Sequence, residues 1–169
     1  MKKISSLLLI LSIITLSLNA QKMSDSNRLS IGVWVPEQIE GLTPAAHGML
    51  ENKLNQIINS NGMGDTPYAR FILSANVIVL TKDVLANAQP MWAYSLEVTF
   101  YIGDGFEGKS YATHTMTLKG VGESETKAYI SAIRNIDPRN PAFASFLDKG
   151  KAKIIAYYDA NCDYIIKEA

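Results

Sequence analysis

Several places along the chain carry residue types that could do chemistry. Between a predicted strand and a predicted helix stands Lys119-Gly120-Val121-Gly122-Glu123-Ser124, and glycines in such a turn can let a helix N-terminus cradle a phosphate. The spacing argues against it. A dinucleotide site needs a third glycine where Glu125 stands, a P-loop ends in Gly-Lys-Ser/Thr, and Glu123 and Glu125 put negative charge where an anion would sit. Those carboxylates complement the positive end of the helix dipole, so the run reads as a structural turn and cap. Further upstream, Asp104 and Glu107 are interleaved with Gly105 and Gly108 and could offer oxygens to calcium. Two carboxylates fall short of the roughly six to eight oxygens that calcium takes, and the segment reads as a solvated hairpin turn.

The remaining candidates are isolated. His47 and His114 fall on different predicted elements, and neither has a His or Cys neighbour at zinc-ligand spacing. Cys162 is the single cysteine. It lies on the apolar stripe of the last predicted helix, with no histidine near it in sequence to lower its pKa, and reads as a packed thiol or one paired with another chain. The chain has no Gly-x-Ser-x-Gly elbow, no His-Glu-x-x-His helix and no carboxylate pair at glycosidase-like spacing. No catalytic, cofactor-binding or metal-binding residue is therefore assigned, no cofactor is expected, and the domain is read as non-enzymatic.

What must position these residues begins after a leader. Lys2 and Lys3, an apolar stretch from Leu7 to Leu18 and Asn19-Ala20 before Gln21 have the three parts of a secretory signal peptide. The apolar stretch covers roughly 18 Å as a helix, short of the roughly 30 Å hydrocarbon core, and no lipidation cysteine follows it. The expectation is cleavage near Ala20, a flexible stretch over 21–28, and one domain over 29–169, periplasmic or extracellular and without an integral span. The 169 residues hold 16 basic and 16 acidic side chains, and losing Lys2 and Lys3 leaves acids in slight excess. That balance excludes a basic nucleic-acid face and a polybasic membrane patch.

Leu29 to Val35 reads as a buried first strand ended by Pro36. Thr43 and Pro44 then start a helix with Ala46, Met49, Leu50, Leu54, Ile57 and Ile58 at helical spacing, stopped at Asn61-Gly62. Phe71 to Leu80 reads as a second strand with Phe71, Leu73, Ala75, Val77 and Val79 on one face. A third alternates Trp92, Tyr94, Leu96, Val98, Phe100 and Ile102 against polar neighbours. A hairpin over Gly103 to Gly108 leads to a fourth, Ser110 to Leu118, with Tyr111, Thr113, Thr115 and Thr117 on one face. Gly120 and Gly122 close the sheet, and Ser124 caps a second helix that Asp137-Pro138 breaks. Asn140 caps a last helix in which Gly150 is read as a weak point. The order β-α-β-β-β-α-α implies an α/β (α+β) fold: a mixed four-stranded sheet with a parallel crossover, an antiparallel meander and helices packed on it.

The run Arg70-Phe71-Ile72-Leu73, the hairpin around Gly103 to Gly108, the turn Lys119 to Ser124 and the helix Lys127-Ala128-Tyr129-Ile130-Ser131-Ala132-Ile133 resemble the α/β envelope domains of the CsgG, TolB N-terminal, LpoB and FlgT middle-domain group over Leu29 to Ile136. The lipoprotein cysteine of several such proteins is missing here. The resemblance implies a non-enzymatic part that docks to an envelope or surface protein, and it carries no catalytic residues. The loops Asn61 to Pro67 and Asp83 to Pro90 and the hairpin tip are the candidate surfaces. Rival readings are a structural subunit of a larger assembly, and a small-molecule binder or enzyme.

Overall fold

The computed structural model describes residues 29–39, 41–64, 69–85 and 90–168, with side chains through Asn161. The leader reading of Met1 to Ala20, the flexible stretch 21–28 and the side chain of Cys162 lie outside the described residues, as do positions 65–67 and 86–89 of the two expected loops. The elements are β1 (Ile31–Trp34), α1 (Pro44–Ser60), β2 (Phe71–Leu85), β3 (Met91–Asp104), β4 (Ser110–Gly122), α2 (Glu125–Arg134) and α3 (Pro141–Glu168). The order is the expected β-α-β-β-β-α-α. The sheet runs β1-β2-β3-β4, with β1 parallel to β2 and the other pairs antiparallel.

Local chemistry sets the helix ends. Thr43 Oγ1 accepts from the Ala46 N–H at 3.3 Å, and Pro44 fills the first turn of α1, where its missing N–H has no partner to lose. Gly62, at φ 71°, takes the left-handed conformation that lets the chain leave α1. Ser124 Oγ accepts from Lys127 N–H at 3.2 Å to start α2, and Asn140 Oδ1 accepts from Ala142 N–H at 2.9 Å to start α3. Lys53 of α1 donates to the Ile136 carbonyl at 2.7 Å, which ties α1 to the end of α2.

All three helices lie on one face of the sheet. That face is lined by Phe71, Leu73, Ala75 and Val77 of β2, by Leu96, Val98, Phe100 and Ile102 of β3, and by Ala112 and Leu118 of β4, all buried. Leu50, Leu54, Ile57, Ile133, Ile136, Phe143 and Leu147 complete a single core from the helix side. Phe100 and Phe143 meet edge to face with ring centroids 5.0 Å apart, joining the middle of β3 to α3.

Four details differ from the sequence reading. First, Gly120 and Gly122 are strand residues of β4, not a turn. A Cβ on Gly120 would collide with Ala132 N and Ala128 O and lie 2.7 Å from Ala132 Cα, while one on Gly122 would lie 2.5 Å from Ala128 N. The glycines therefore let the α2 backbone press directly onto the strand. Gly150 has a similar role, since a Cβ there would run into the Ile102 side chain; it is a close-contact point of α3, not a weak one.

Second, β2 continues to Leu85, so the expected loop from Asp83 starts later. A bulge at Leu80 shifts the register between Val79 and Thr81, which ends the odd-residue alternation while strand pairing goes on. Third, Tyr111 does not share the face of Thr113, Thr115 and Thr117. Ile102 pairs with Ala112 and Gly103 with Ser110, leaving Tyr111 as the extra residue of a bulge and turning its ring to Phe71 and Tyr157 on the helix side. Fourth, β1 is not buried throughout, because Trp34 is 54% exposed.

The packing yields a paired prediction. Gly120→Ala is expected to destabilise the fold by about 3 kcal/mol, the upper end for overpacking against backbone that cannot yield. Gly48→Ala, in the interior of α1 with nothing within 4 Å of the added carbon, is expected to stabilise it by about 0.5–1 kcal/mol. Urea unfolding of both variants checks the signs and the contrast.

Candidate functional site

The sequence-derived candidates resolve one by one. Around Gly120 and Gly122 the space a phosphate would need is filled by the α2 backbone. The charges at this helix start are committed elsewhere: Glu123 pairs with Lys127 at 2.5 Å and Glu125 with Lys82 at 2.7 Å. Tyr94 donates to Glu125 at 3.1 Å, and Lys82 also lies 5.0 Å over the Trp92 ring. The bulge at Leu80 is what puts Lys82 on the helix side, opposite Tyr94. The Lys82 hydrogen bond outweighs burial and, with that of Tyr94, holds the Glu125 carboxyl below its ordinary pKa. This cluster braces the far half of the β2-β3 hairpin against α2.

Asp104 and Glu107 do come together, under a cation. Arg70 Nε donates to Asp104 Oδ2 and Arg70 Nη2 to Glu107 Oε1, each at 2.6 Å. Asp104 Oδ1 accepts the Phe106 and Glu107 N–H groups at 2.8 and 3.1 Å, an Asx turn that shapes the hairpin, with Gly108 at φ 66°. Tyr157 of α3 donates to Glu107 at 3.2 Å. Burial works against the Asp104 charge, but Arg70 and the two backbone donors outweigh it and hold the carboxyl below its ordinary pKa. The oxygens that calcium would require are thus occupied by donors of the chain itself. Nothing in the sequence marked Arg70 or Tyr157 as partners, because the contacts span 34 and 50 residues.

The histidines remain apart. His47 Nε2 donates to the Val35 carbonyl at 3.2 Å, and the His114 ring sits among Phe100, Phe143 and Phe146 with centroids 5.4 to 6.2 Å away. Asn135 Nδ2 donates to the Lys119 carbonyl at 2.8 Å, and the Lys119 residue is exposed. Among the described residues no group of three or more His, Cys, Asp or Glu is placed to hold a metal, and no helix is long and apolar enough to cross a membrane.

What the sequence did not reveal is the uncovered side of the sheet. Side chains of paired strands share a face, so the register lays out rows across it: Trp34, Ser74, Tyr101 and Thr113; then Asn76, Thr99 and Thr115; then Ile78, Glu97 and Thr117. Thr99 and Thr115 are joined through their hydroxyls at 3.0 Å. None of the described helices packs on these rows, and large apolar side chains stand out from this half of the molecule. By the register, Ile78, Leu80 and Leu85 of β2, Val121 of β4 and Trp34 of β1 are exposed on this side, whereas Val84, which pairs with Trp92, is exposed on the helix side, and Phe106 stands out at the hairpin tip.

No protein-family model matches the chain, and no curated protein matches it. Solved structures similar to it include a minor lipoprotein from Acinetobacter baumannii, 14% identical over 73% of this chain and 93% of that one, TM-score 0.44. The PelC dodecamer from Paraburkholderia phytofirmans is 18% identical over 67% and 89%, TM-score 0.41. A DUF330 protein from Xanthomonas campestris is 14% identical over 79% and 89%, TM-score 0.41. At such identities and scores, the description of this fold rests on the chain's own geometry.

The Arg70 cluster sets an acid limit on stability. A carboxyl held below its unfolded value contributes fully above that value, about pH 3.9, and loses the contribution as pH falls through the folded one. Asp104→Asn is expected to cost about 1–3 kcal/mol at neutral pH, because an Asn that keeps the two backbone N–H groups turns its amide donors on Arg70 Nε and leaves that donor without an acceptor. It should also flatten the loss of stability below about pH 4. Urea unfolding between pH 3 and pH 7, wild type against variant, checks both.

Proposed function

We propose that the chain is an exported, non-enzymatic domain of the cell envelope that works by docking another protein. The carrying observation is the set of exposed apolar side chains that the register places on the open face at this end of the sheet, Ile78, Leu80 and Leu85 of β2 and Val121 of β4, two strands away. Lone exposed apolar residues are ordinary, whereas a run of them on a braced strand is a recognition surface. The Lys82, Glu125, Tyr94 and Trp92 contacts supply the bracing, so the surface is presented preformed, which lowers the ordering cost of binding. Export is supported by the leader-like start of the sequence, and the adaptor role by the resemblance to the CsgG, TolB N-terminal, LpoB and FlgT middle-domain group. Enzymatic action has no support from the described residues, where Arg70, Asp104, Glu107, Lys82, Glu123, Glu125 and Lys127 are committed to structural bridges.

A second reading, a subunit of a larger assembly, is favoured by β4. This strand of 13 residues stands at the edge of the sheet, and an unpaired edge is a template for a further strand.

Site-specific photo-crosslinking in the exporting cell separates the two readings. A crosslinker at Ile78 is expected to give one adduct of defined mass with a different protein, and one at Ser145, exposed on α3, to give none. The double variant Leu80→Glu, Leu85→Glu should lose the adduct formed from Ile78 at unchanged thermal stability, since exposed positions contribute within about 0.5 kcal/mol. A ladder of self-multiples, matched by a discrete oligomer in native mass measurement, would instead establish the subunit reading.

A further inference from the structure

The open sheet face carries a second feature, at the end away from the apolar run on β2. A groove of about 430 Å³ lies there. Trp34 pairs with Ser74 and Ser74 with Tyr101, so two aromatic side chains flank a serine in one row across three strands. The span from β1 to β3 is two strand spacings, roughly 9–10 Å. Asn76 and Ser110 add an amide and a hydroxyl to the lining. Gly103, which pairs with Ile72 in the adjoining row, has no side chain to fill the space.

The charges of the lining are both engaged elsewhere. Asp104 contributes a residue to the wall, but its carboxylate is buried and held by Arg70 and two backbone N–H groups. Lys109 directs its ammonium over the Tyr157 ring at 4.2 Å and toward Tyr111 at 5.6 Å, leaving its apolar stem to the groove. What remains among the described lining residues is two aromatic rings and the apolar side chains of Pro36 and Ile72, with hydroxyl and amide groups between them and no free charge. An anionic ligand would find no free cation there, and an apolar peptide would leave Ser74 and Asn76 facing hydrocarbon without hydrogen bonds. A molecule with C–H faces, a rim of hydroxyls and no charge can lay its faces on the rings and on Pro36 and Ile72 and its hydroxyls on Ser74 and Asn76.

We propose that this groove binds a neutral oligosaccharide laid across the strands from Trp34 to Tyr101. Sugar rings stack on the two aromatic side chains, and Ser74 and Asn76 exchange hydrogen bonds with the hydroxyls between them. The site is distinct from the protein-docking surface and does not rest on it.

Calorimetric titration of the mature chain with chitotetraose, cellotetraose and maltotetraose, and with the acidic tetragalacturonate as control, tests the proposal. At least one neutral tetramer is expected to bind, and more tightly than the acidic one. Trp34→Ala and Tyr101→Ala should each weaken it about tenfold, the scale of one lost aromatic contact. Trp34→Phe should stay within about threefold, because a stacking face is kept. Thermal melting establishes that the variants fold, and the Leu80→Glu, Leu85→Glu variant should bind sugar as the wild type does. Absence of binding by all three neutral tetramers overturns the proposal. So does binding that survives removal of both rings, or an acidic tetramer that binds as well as the neutral ones.

Discussion

The arrangement of this molecule depends on the contact between β4 and α2, where Gly120 and Gly122 give up side chains so that two backbones can touch. With Ala128 and Ala132 on the helix side, the layer separation here is set by main-chain atoms, which cannot rearrange as side chains can. That fixes the position of α2. From it follow the seat of Tyr129 and Ile133 in the core, the anchoring of α1 through Lys53 and Ile136, and the short Asp137 to Asn140 turn that delivers α3. The whole helical layer is thereby committed to one face of the sheet.

A one-sided layer leaves the other face to solvent, and the chain treats that face unevenly. Threonines and serines cover its middle, where β-branched polar side chains suit a pleated, wetted surface. Toward the Leu85 end the same strands carry Ile78, Leu80 and Val121, and toward the Phe71 end Trp34 and Tyr101. Burial energy cannot explain these large side chains, since none is fully buried. Each exposed Leu or Val forgoes about 1.5–3 kcal/mol that a core position would return, so their gathering at the two ends points to partners, not packing.

The sequence revealed the fold far better than the site. Alternation in Trp92 to Ile102 and helical spacing in Ala46 to Ile58 fixed which side of each element is apolar, and the caps Thr43, Ser124 and Asn140 marked where helices start. Those are local signals. Two bulges defeated them: at Leu80 the alternation stops although the strand does not, and at Tyr111 one extra residue turns a ring to the opposite face. Glycine is ambiguous for a related reason. From sequence alone, Gly120, Gly122 and Gly150 show a missing side chain but not the helix or the Ile102 side chain that occupies its place. The groove was hidden more completely, because Trp34, Ser74 and Tyr101 become neighbours only through the strand register, and the apolar run Leu29 to Val35 gave no sign that Trp34 points outward.

The two ends of the open face are also stabilised by different chemistry, and this bears on how each would respond to binding. At the Phe71 end the hairpin is locked by a buried carboxylate with three donors and by the Tyr111, Tyr157 and Phe71 rings. Such a network keeps the groove walls rigid, which suits a ligand recognised by shape and hydrogen bonds. At the Leu85 end the bracing is one ion pair between half-exposed groups, Lys82 and Glu125, worth little in water and screened by salt. That half of the hairpin is consequently held by strand pairing and the Lys82 contact with the Trp92 ring more than by charge, so its apolar surface stays preformed even where salt screens the ion pair.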